Sequence, residues 1–244
     1  GDATVDIVNP TFYDNEVGVY VVQDTANISG GSIQGGGTGV SYNSSGIVAA
    51  YLADVYVSGT EIYDMWSDIA LSQGDEPGQP AGPMSGFGVV CGSVVGGTEP
   101  EPSLYSSRIT LSDCCDIHHN LFGVAVAPGG SGSANGCDIR DNTLGVIAAD
   151  PGLHVFDFEN NWWGMPEGPT EIDPSDLSDI PDDWPNYVWG IDYTPWLDAP
   201  CPQGNPVGMG ARFTPSARSG SAGDSVQFTD VSTPPPGCVI DSWM

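Results

Sequence analysis

The stretch that decides the fold reads DIHHNLFG at residues 116–123, DIRDNTLG at 138–145 and DFENNWWG at 157–164. In each copy an apolar residue follows the Asp, an Asn comes three places later, and a Gly comes three places after the Asn. The glycines, Gly123, Gly145 and Gly164, are 22 and 19 residues apart. Self-similarity at a period near 20 residues is typical of a solenoid, in which each coil stacks on the preceding one.

The same frame occurs near the start of the chain, where Phe12, Asn15 and Gly18 have the same offsets. Short alternating runs precede three of the copies: Val5 and Ile7 before Phe12, Ala26 and Ile28 before Ile33, and Val55 and Val57 before Ile62. Alternation over three to five residues predicts a half-buried strand. Because a coil of about 20 residues has no room for a long helix beside such strands, we expect two or three short strands in each coil.

This pattern resembles the right-handed parallel β-helix of the NosD-like and pectate-lyase-like repeat proteins. Stacked coils of that fold would place equivalent residues about 4.8 Å apart and build apolar ladders along the axis. Asn15, Asn120, Asn142 and Asn161 are then expected to form a column of hydrogen-bonded amides at a bend. The Gly after each Asn is expected to provide either a positive φ or a close backbone approach.

The end of the repeat region carries a second resemblance. The string Asn160-Asn161-Trp162-Trp163-Gly164, followed later by Tyr193-Thr194-Pro195-Trp196-Leu197, is similar to the terminal-coil motif of extracellular β-helix proteins. The resemblance implies an irregular cap that covers the apolar ladder ends and unpaired strand edges of the last coil. The alternative is a carbohydrate platform, in which Trp162, Trp163 and Trp196 stack on sugar rings. The predicted solenoid with its cap covers residues 1–197.

Residues 198–210 are rich in Pro and Gly and are predicted to be a linker. Residues 211–244 resemble the first part of a PKD-type Ig-like β-sandwich, in a segment that includes Phe213, Pro215, Gly220 and residues 226–230. A segment this short cannot bury a sandwich core by itself. Its unpaired strands would be a template for strand addition from another chain, so a homo-oligomer or a filament is a hypothesis.

The charge of the chain excludes several classes of partner. There are 32 acidic residues against four Arg and no Lys, which gives a net charge of −28. Nucleic acid is an unfavourable partner because binding to phosphates needs Lys and Arg, and anionic membranes are unfavourable for the same reason. No apolar run is long enough for a transmembrane helix, so no membrane insertion is expected. The acidity indicates either solubility in high salt, as in halophilic proteins, or binding of divalent cations such as Ca²⁺.

Six cysteines are present, and none occurs in a CxxC pair or at zinc-finger spacing from a His, so no zinc site is predicted. Cys115 and Cys137 each precede the Asp of the repeated motif, so they occupy equivalent positions in neighbouring copies of it. At a strand spacing of about 4.8 Å they either form a disulfide or stack as two buried thiols. The even number of cysteines favours an oxidising, extracellular setting.

Candidate chemistry centres on the few basic residues, because a lyase of this fold class needs acidic Ca²⁺ ligands beside an Arg or Lys base. Arg108 and Arg140 are the only basic side chains in the repeat region. The candidate catalytic cluster is Asp116, His119, Asp138 and Arg140. The alternative is a surface ladder in which Arg140 neutralises neighbouring carboxylates. Adjacent strand residues point to opposite faces, so His118 and His119 are not expected to share an ion.

Asp173, Asp176 and Asp179 form a candidate Ca²⁺ site without the spacing of a known calcium loop, and a solvated acidic face is the alternative. Ca²⁺ is the one cofactor that the sequence suggests. We therefore expect an extracellular or cell-surface structural or interaction protein. Its expected partners are carbohydrate, other surface proteins or copies of itself. The alternative function is a polysaccharide lyase or glycoside hydrolase of the β-helix class.

Overall fold

A computed structural model describes most of the repeat region and short pieces of the remainder. The described residues are 3–36, 44–66, 86–92, 107–148, 156–172, 186–204, 206–207, 213–215 and 228–230. The candidate calcium ligands Asp173, Asp176 and Asp179 lie outside these residues.

Five successive coils each contribute three short strands. They are β1 Thr4–Val8, β2 Thr11–Tyr13 and β3 Val17–Val22; β4 Thr25–Ser29, β5 Ser32–Gln34 and β6 Ser45–Ala50; β7 Asp54–Ser58, β8 Glu61–Tyr63 and β9 Phe87–Cys91; β10 Ser107–Ser112, β11 Asp116–His118 and β12 Phe122–Val126; β13 Gly130–Ala134, β14 Asp138–Arg140 and β15 Leu144–Ala148. Six further strands follow, namely β16 Thr170–Glu171, β17 Tyr187–Trp189, β18 Trp196–Leu197, β19 Pro206–Val207, β20 Phe213–Pro215 and β21 Phe228–Asp230.

The first, second and third strands of the coils form three parallel sheets. Sheet A has the order β1-β4-β7-β10-β13, sheet B the order β2-β5-β8-β11-β14, and sheet C the order β3-β6-β9-β12-β15-β17-β16. The prediction of an all-β chain with parallel strands in stacked sheets is confirmed, and the arrangement is consistent with a β-solenoid. Within the described residues no helix is long and apolar enough to cross a membrane.

The strand register pairs the same residues that the alternating sequence runs placed at equivalent positions. Phe12 pairs with Ile33, and Ile33 pairs with Ile62, at the centre of the sheet B strands. Ile117 and Ile139 continue this ladder, and both are completely buried. Since each such side chain gains about 1.5–3 kcal/mol on burial, a slip of one residue would turn the ladder to solvent and is strongly disfavoured.

The bend between sheets B and C contains the Asn column. The Nδ2 of Asn120 donates to the Oδ1 of Asn142 at 3.0 Å, and the Nδ2 of Asn142 lies 3.4 Å from the Oδ1 of Asn186. All three amides are buried. Asn15, at the equivalent place in the first coil, is exposed.

Gly123 and Gly145 are required for close approach and not for a positive φ, whereas Gly164 has φ 88°. A Cβ on Gly123 would lie 2.9 Å from the Nδ2 of Asn142, and a Cβ on Gly145 would lie 2.8 Å from the Oδ1 of Asn186. The left-handed conformation belongs instead to the residue before the Asn, at His119 and at Asp141, both with φ 53°. Gly123 and Gly145 therefore make room for the amide of the next coil.

The third copy of the repeated motif, residues 157–164, does not align with the second copy in the strand pairing. Asn161 therefore does not join the column. Asp157 forms a parallel β-bridge with Ser133, and Trp162 forms one with Asp138. Trp162 is therefore equivalent to Asp138, and Asn161 is equivalent to Cys137. Asn161 accordingly lies at the other bend, between sheets A and B, where its Oδ1 accepts from the Cys137 N–H at 3.0 Å. The predicted place of Asn161 in the column was wrong, and Asn186 occupies it.

The segment after the last coil is attached to the solenoid. Cys114 and Cys201 form a disulfide, and the backbone N–H of Cys201 donates to the Oδ1 of Asp138 at 2.8 Å. Strands β18 and β19 pair antiparallel, as do β20 and β21. Within the predicted linker at residues 198–210, Cys201 is therefore bound to the repeat region.

Candidate functional site

The outer surface of sheet B carries three of the four residues of the candidate catalytic cluster, Asp116, Asp138 and Arg140. Its outward side chains form two rows, because residues alternate along each strand and the middle residue is buried. The first row is Thr11, Ser32, Glu61, Asp116 and Asp138, and the second is Tyr13, Gln34, Tyr63, His118 and Arg140. We call these ten side chains the sheet B face.

Three members of the second row, Gln34, Tyr63 and His118, form a connected line of planar groups. The hydroxyl of Tyr63 donates to the Oε1 of Gln34 at 2.9 Å. The rings of Tyr63 and His118 stack with centroids 5.1 Å apart and planes 10° apart. Burial raises the pKa of Tyr63, and the charges of nearby Glu61 and Asp64 add to this, so its hydroxyl stays a donor. At the end of the row Tyr13 is 67% exposed.

Arg140 is fixed between two carboxylates. Its guanidinium donates to the Oδ2 of Asp116 and to the Oδ2 of Asp141, each at 2.8 Å. Burial by itself lowers the pKa of Arg140, but the hydrogen bonds and charges of the two carboxylates outweigh it, so the net pKa is raised. Arg140 therefore remains a cation and cannot act as a general base at ordinary pH.

Glu61, Asp116 and His118 bring three metal-ligating atoms within 4.8 Å of one another. The Nε2 of His118 is 3.2 Å from the Oε1 of Glu61 and 3.8 Å from the Oδ2 of Asp116. His118 is 10% exposed at its side chain. The Oδ1 of Asp116 is buried and has no hydrogen-bond partner among the described residues.

His119 lies next to this group, against the expectation that neighbouring histidines would point apart. Strand β11 ends at His118, and the left-handed conformation of His119 turns its side chain back. The Nδ1 atoms of the two rings are 2.6 Å apart. The alternation rule failed here because it applies only inside a strand.

The structure brings together part of the candidate catalytic cluster. Asp116 and Arg140 form an ion pair, whereas the Oδ1 of Asp138 accepts from the backbone of Cys201. Burial raises the pKa of Asp138, and the hydrogen bond from Cys201 offsets part of this shift. Asp138 thus anchors the C-terminal segment.

Glu61 and Tyr63 were not predicted as site residues from the sequence, and His118 was named only as unable to share an ion with His119. The signal for Glu61 was present, because Ile62 and Ile117 were already aligned as ladder residues. That alignment places Glu61 beside Asp116. The bend that brings His119 against His118 carries no such signal.

The predicted sugar-binding tryptophans are mostly inside the molecule. Trp163 is completely buried and Trp162 is 7% exposed, so neither offers a ring face to a sugar. Trp196 is partly buried, its Nε1 donates to the carbonyl of Pro166 at 2.9 Å, and Gly168 lies against its ring. These contacts agree with the capping role and leave the carbohydrate platform without an accessible surface on Trp162 and Trp163.

Of the two alternatives for Cys115 and Cys137, the structure shows the pair of buried thiols. Cys115 and Cys137 are buried free thiols, so the disulfide considered between them is not formed. The disulfide joins Cys114, whose side chain lies on the outer side of the same bend, to Cys201. Cys115 and Cys137 do lie at equivalent positions of neighbouring coils. The disulfide is formed instead by Cys114 with Cys201, which lies outside the repeat region.

Arg108, the other basic residue of the repeat region, is also paired. Its Nε is 3.1 Å from the Oδ1 of Asp54, and one terminal nitrogen donates to the Tyr56 hydroxyl at 2.9 Å. Within the described residues, neither Arg108 nor Arg140 is an unpaired base beside an acidic metal site.

Comparison of the chain with models of protein families, with curated proteins and with solved structures finds no match. The function is therefore argued from the residues of the chain alone.

Proposed function

We propose that this chain is a right-handed parallel β-helix of an extracellular or cell-surface protein, and that it binds carbohydrate non-catalytically through the sheet B face. The observation that carries the proposal is the regular arrangement of that face. Its two rows repeat at the strand spacing of about 4.8 Å, and the rigid solenoid fixes their geometry.

The chemistry of the face suits a polyhydroxylated ligand. Tyr13 presents an exposed aromatic ring, and Gln34 and Tyr63 form a bonded amide and phenol pair beside it. Sugars combine an apolar ring face with hydroxyls that both donate and accept, so a flat surface of aromatic rings, amides and carboxylates complements them. The carboxylates of Glu61 and Asp116 favour neutral over acidic polysaccharides, because like charges repel.

The extracellular assignment is supported by the Cys114–Cys201 disulfide, which persists in oxidising compartments. The net charge of −28 supports a surface that remains soluble in high salt and avoids nucleic acid. The antiparallel pairing of β20 with β21 supports a hairpin at the start of a PKD-type module over residues 211–244. Strand addition to that module would produce a homo-oligomer or filament.

A binding role is favoured over a lyase because both described arginines are held in ion pairs. A lyase base must lose its proton, and the carboxylates around Arg140 oppose that loss. A glycoside hydrolase needs two carboxylates in separate environments. Asp116 and Asp138, the carboxylates of the candidate cluster, are engaged by Arg140 and by the Cys201 backbone.

The test is calorimetric titration of the full chain with soluble neutral and acidic polysaccharides. We expect Tyr13→Ala and Tyr63→Ala each to weaken binding of a neutral polysaccharide by roughly tenfold, the loss of about 1.4 kcal/mol. Tyr20→Ala is the matched control, because Tyr20 is a 55% exposed tyrosine on sheet C. The proposal fails if no polysaccharide binds, or if Tyr20→Ala weakens binding equally.

The same mixtures test the enzymatic alternative. Release of unsaturated or reducing sugar ends during incubation would show a lyase or a hydrolase and would overturn a purely binding role. Light scattering of the full chain tests self-assembly, and a strictly monomeric solution would contradict the oligomer.

A further inference from the structure

We propose that Glu61, Asp116 and His118 form a site for a divalent transition-metal ion of the Zn²⁺ type on the sheet B face. The proposal does not depend on carbohydrate binding. The zinc-finger spacing considered in the sequence is absent because the ligands come from two coils, and the solenoid assembles them.

The register of neighbouring strands creates the ligand set. Glu61 on β8 and Asp116 on β11 are directly opposite each other, and His118 follows two residues after Asp116 on the same outward side. Their ligand atoms lie within 4.8 Å of one another. A tetrahedral Zn²⁺ with bonds of about 2.0–2.2 Å places its ligand atoms roughly 3.3 Å apart. The Nε2 to Oε1 distance of 3.2 Å already meets that value.

The Asp116 carboxylate gives a second and independent sign of a missing ligand. Its Oδ2 accepts from Arg140 at 2.8 Å, whereas its Oδ1 is buried with no hydrogen-bond partner among the described residues. A buried carboxylate oxygen without a donor is unfavourable. A metal ion held by this carboxylate would offset that cost, and its Oδ2 lies 3.8 Å from the Nε2 of His118.

His118 is held in an orientation suited to metal binding. Its ring stacks on Tyr63, and its Nδ1 is 2.6 Å from the Nδ1 of His119. When His118 carries its proton on Nδ1 and donates it to His119, the lone pair of Nε2 points to the two carboxylates. Metal-bound histidines are usually oriented in this way, through a hydrogen bond from the other ring nitrogen.

The donor set selects the kind of metal. Ca²⁺ takes six to eight oxygen ligands, and an imidazole nitrogen does not supply one. A set of one imidazole and two carboxylates is typical of Zn²⁺ and related ions, and three protein ligands leave a position for water. The site is also electronegative, since Glu61, Asp116, Asp138 and Asp141 surround the single cation Arg140.

The experiment is calorimetric titration of the full chain, freed of metal by a chelator and dialysed, with ZnCl₂ and separately with CaCl₂. We expect one Zn²⁺ per chain and at least tenfold weaker binding of Ca²⁺. Glu61→Gln keeps the side-chain shape and is expected to weaken Zn²⁺ binding at least tenfold. His118→Ala is expected to weaken it by 10- to 100-fold.

Glu16→Gln is the matched control, because it removes the same charge from an exposed position in the first coil. It should change the affinity by less than twofold. Zn²⁺ should also shift the ¹⁵N resonance of His118 Nε2 in the wild-type chain, a readout that remains decisive if His118→Ala does not fold. The proposal is overturned if Zn²⁺ does not saturate at one per chain or if His118 does not shift. It is equally overturned if Ca²⁺ binds as tightly as Zn²⁺, or if Glu16→Gln and Glu61→Gln have equal effects.

Discussion

Two of the three bends in the fourth and fifth coils differ in their chemistry. The bend between sheets B and C is filled by the amide column of Asn120, Asn142 and Asn186. The bend between sheets A and B is filled by the thiols of Cys115 and Cys137 in successive coils. We call these the amide bend and the thiol bend.

The amide bend is held by hydrogen bonds in three directions. The Oδ1 of Asn142 accepts from both the backbone N–H and the Nδ2 of Asn120, each at 3.0 Å. Its Nδ2 donates to the carbonyl of Ile117 at 2.9 Å and faces the next amide of the column. Each Asn thus satisfies backbone groups that the turn would otherwise bury without partners.

The thiol bend is held mainly by packing. Cys115 and Cys137 are completely buried, and their sulfurs make only weak bonds to the carbonyls of Ser112 and Asn135. The contact with Cys115, together with burial, raises the pKa of Cys137 well above its usual value, so this thiol stays protonated. The comparison teaches that stacking alone does not dictate the residue at a bend. At the amide bend the Asn120 N–H is satisfied by Asn142, and at the thiol bend the Cys137 N–H is satisfied by Asn161.

The largest expected effect is at the centre of the amide bend. Asn142→Ala removes the acceptor of the buried backbone N–H of Asn120 and one donor to the carbonyl of Ile117. At about 1–3 kcal/mol for each unsatisfied group, we expect a loss of about 3–5 kcal/mol in the free energy of unfolding, measured by urea denaturation. Asn15→Ala is the control and should change it by less than about 0.5 kcal/mol, because Asn15 is exposed. A loss near 1 kcal/mol for Asn142→Ala would show that the column is not needed.

The second effect concerns the attachment of the C-terminal segment to the outer side of the thiol bend. The Cys114–Cys201 disulfide closes a loop of 87 residues. Replacing both residues by Ser should destabilise the chain by about 2–4 kcal/mol, chiefly by releasing the unfolded chain from that constraint. The measurement is the urea midpoint with and without reducing agent. Reduction should lower the midpoint of the wild-type chain and leave that of the double variant unchanged, and any other pattern contradicts the assignment.

The sequence predicted the stacked parallel strands because the alternation of Val5, Ile7 and their successors carries the phase of each coil. The amide bend was predicted in part, through Asn120 and Asn142. Asn161 was misplaced because the phrase DFENNWWG matches the motif locally, while strand pairing aligns Trp162 with Asp138. A local pattern cannot reveal which of two possible registers buries the larger side chain.

Contacts from outside the repeat were not predictable in this way. Cys201 lies in a Pro-rich segment with no periodicity, so nothing in the sequence connects it with Cys114 rather than with another thiol. Part of the metal-ligating group could be predicted from the sequence, because the alignment of Ile62 with Ile117 places Glu61 beside Asp116. The left-handed turn at His119, which orients His118, appears only in three dimensions.

A smaller effect is expected inside the thiol bend. Cys137→Ala removes a buried sulfur and its weak bond to the carbonyl of Asn135, while the Cys137 N–H keeps its bond to Asn161. We expect a loss of about 1–2 kcal/mol, the cost of a small cavity. Cys115→Ala should cost about the same, and the double variant less than the sum, because the two sulfurs contact each other. Losses as large as that of Asn142→Ala would remove the distinction between the two bends.

The smallest effect is the pH dependence of the stability that Asp138 causes. Asp138 is the first residue of β14 and follows the thiol bend directly. Burial raises the pKa of this carboxyl above its value in the unfolded chain, partly offset by the bond from Cys201. The folded state therefore binds more protons than the unfolded state between the two pKa values, so raising the pH through that window costs stability, and the cost is complete above it. Asp138→Asn keeps an oxygen that accepts from the Cys201 N–H and removes the charge.

This variant should be slightly more stable than the wild-type chain at neutral pH and should lose that advantage at about pH 3.5, below the usual Asp pKa. Urea denaturation of both proteins across this range measures the difference. Asp6→Asn controls for the removal of one acidic charge from the chain, since Asp6 is exposed on sheet A. A difference that does not vary with pH, or one that Asp6→Asn reproduces, would mean that net charge and not the burial of Asp138 sets its effect. The amide bend contains no carboxylate among its three column residues, so its contribution to stability should not change over the same range.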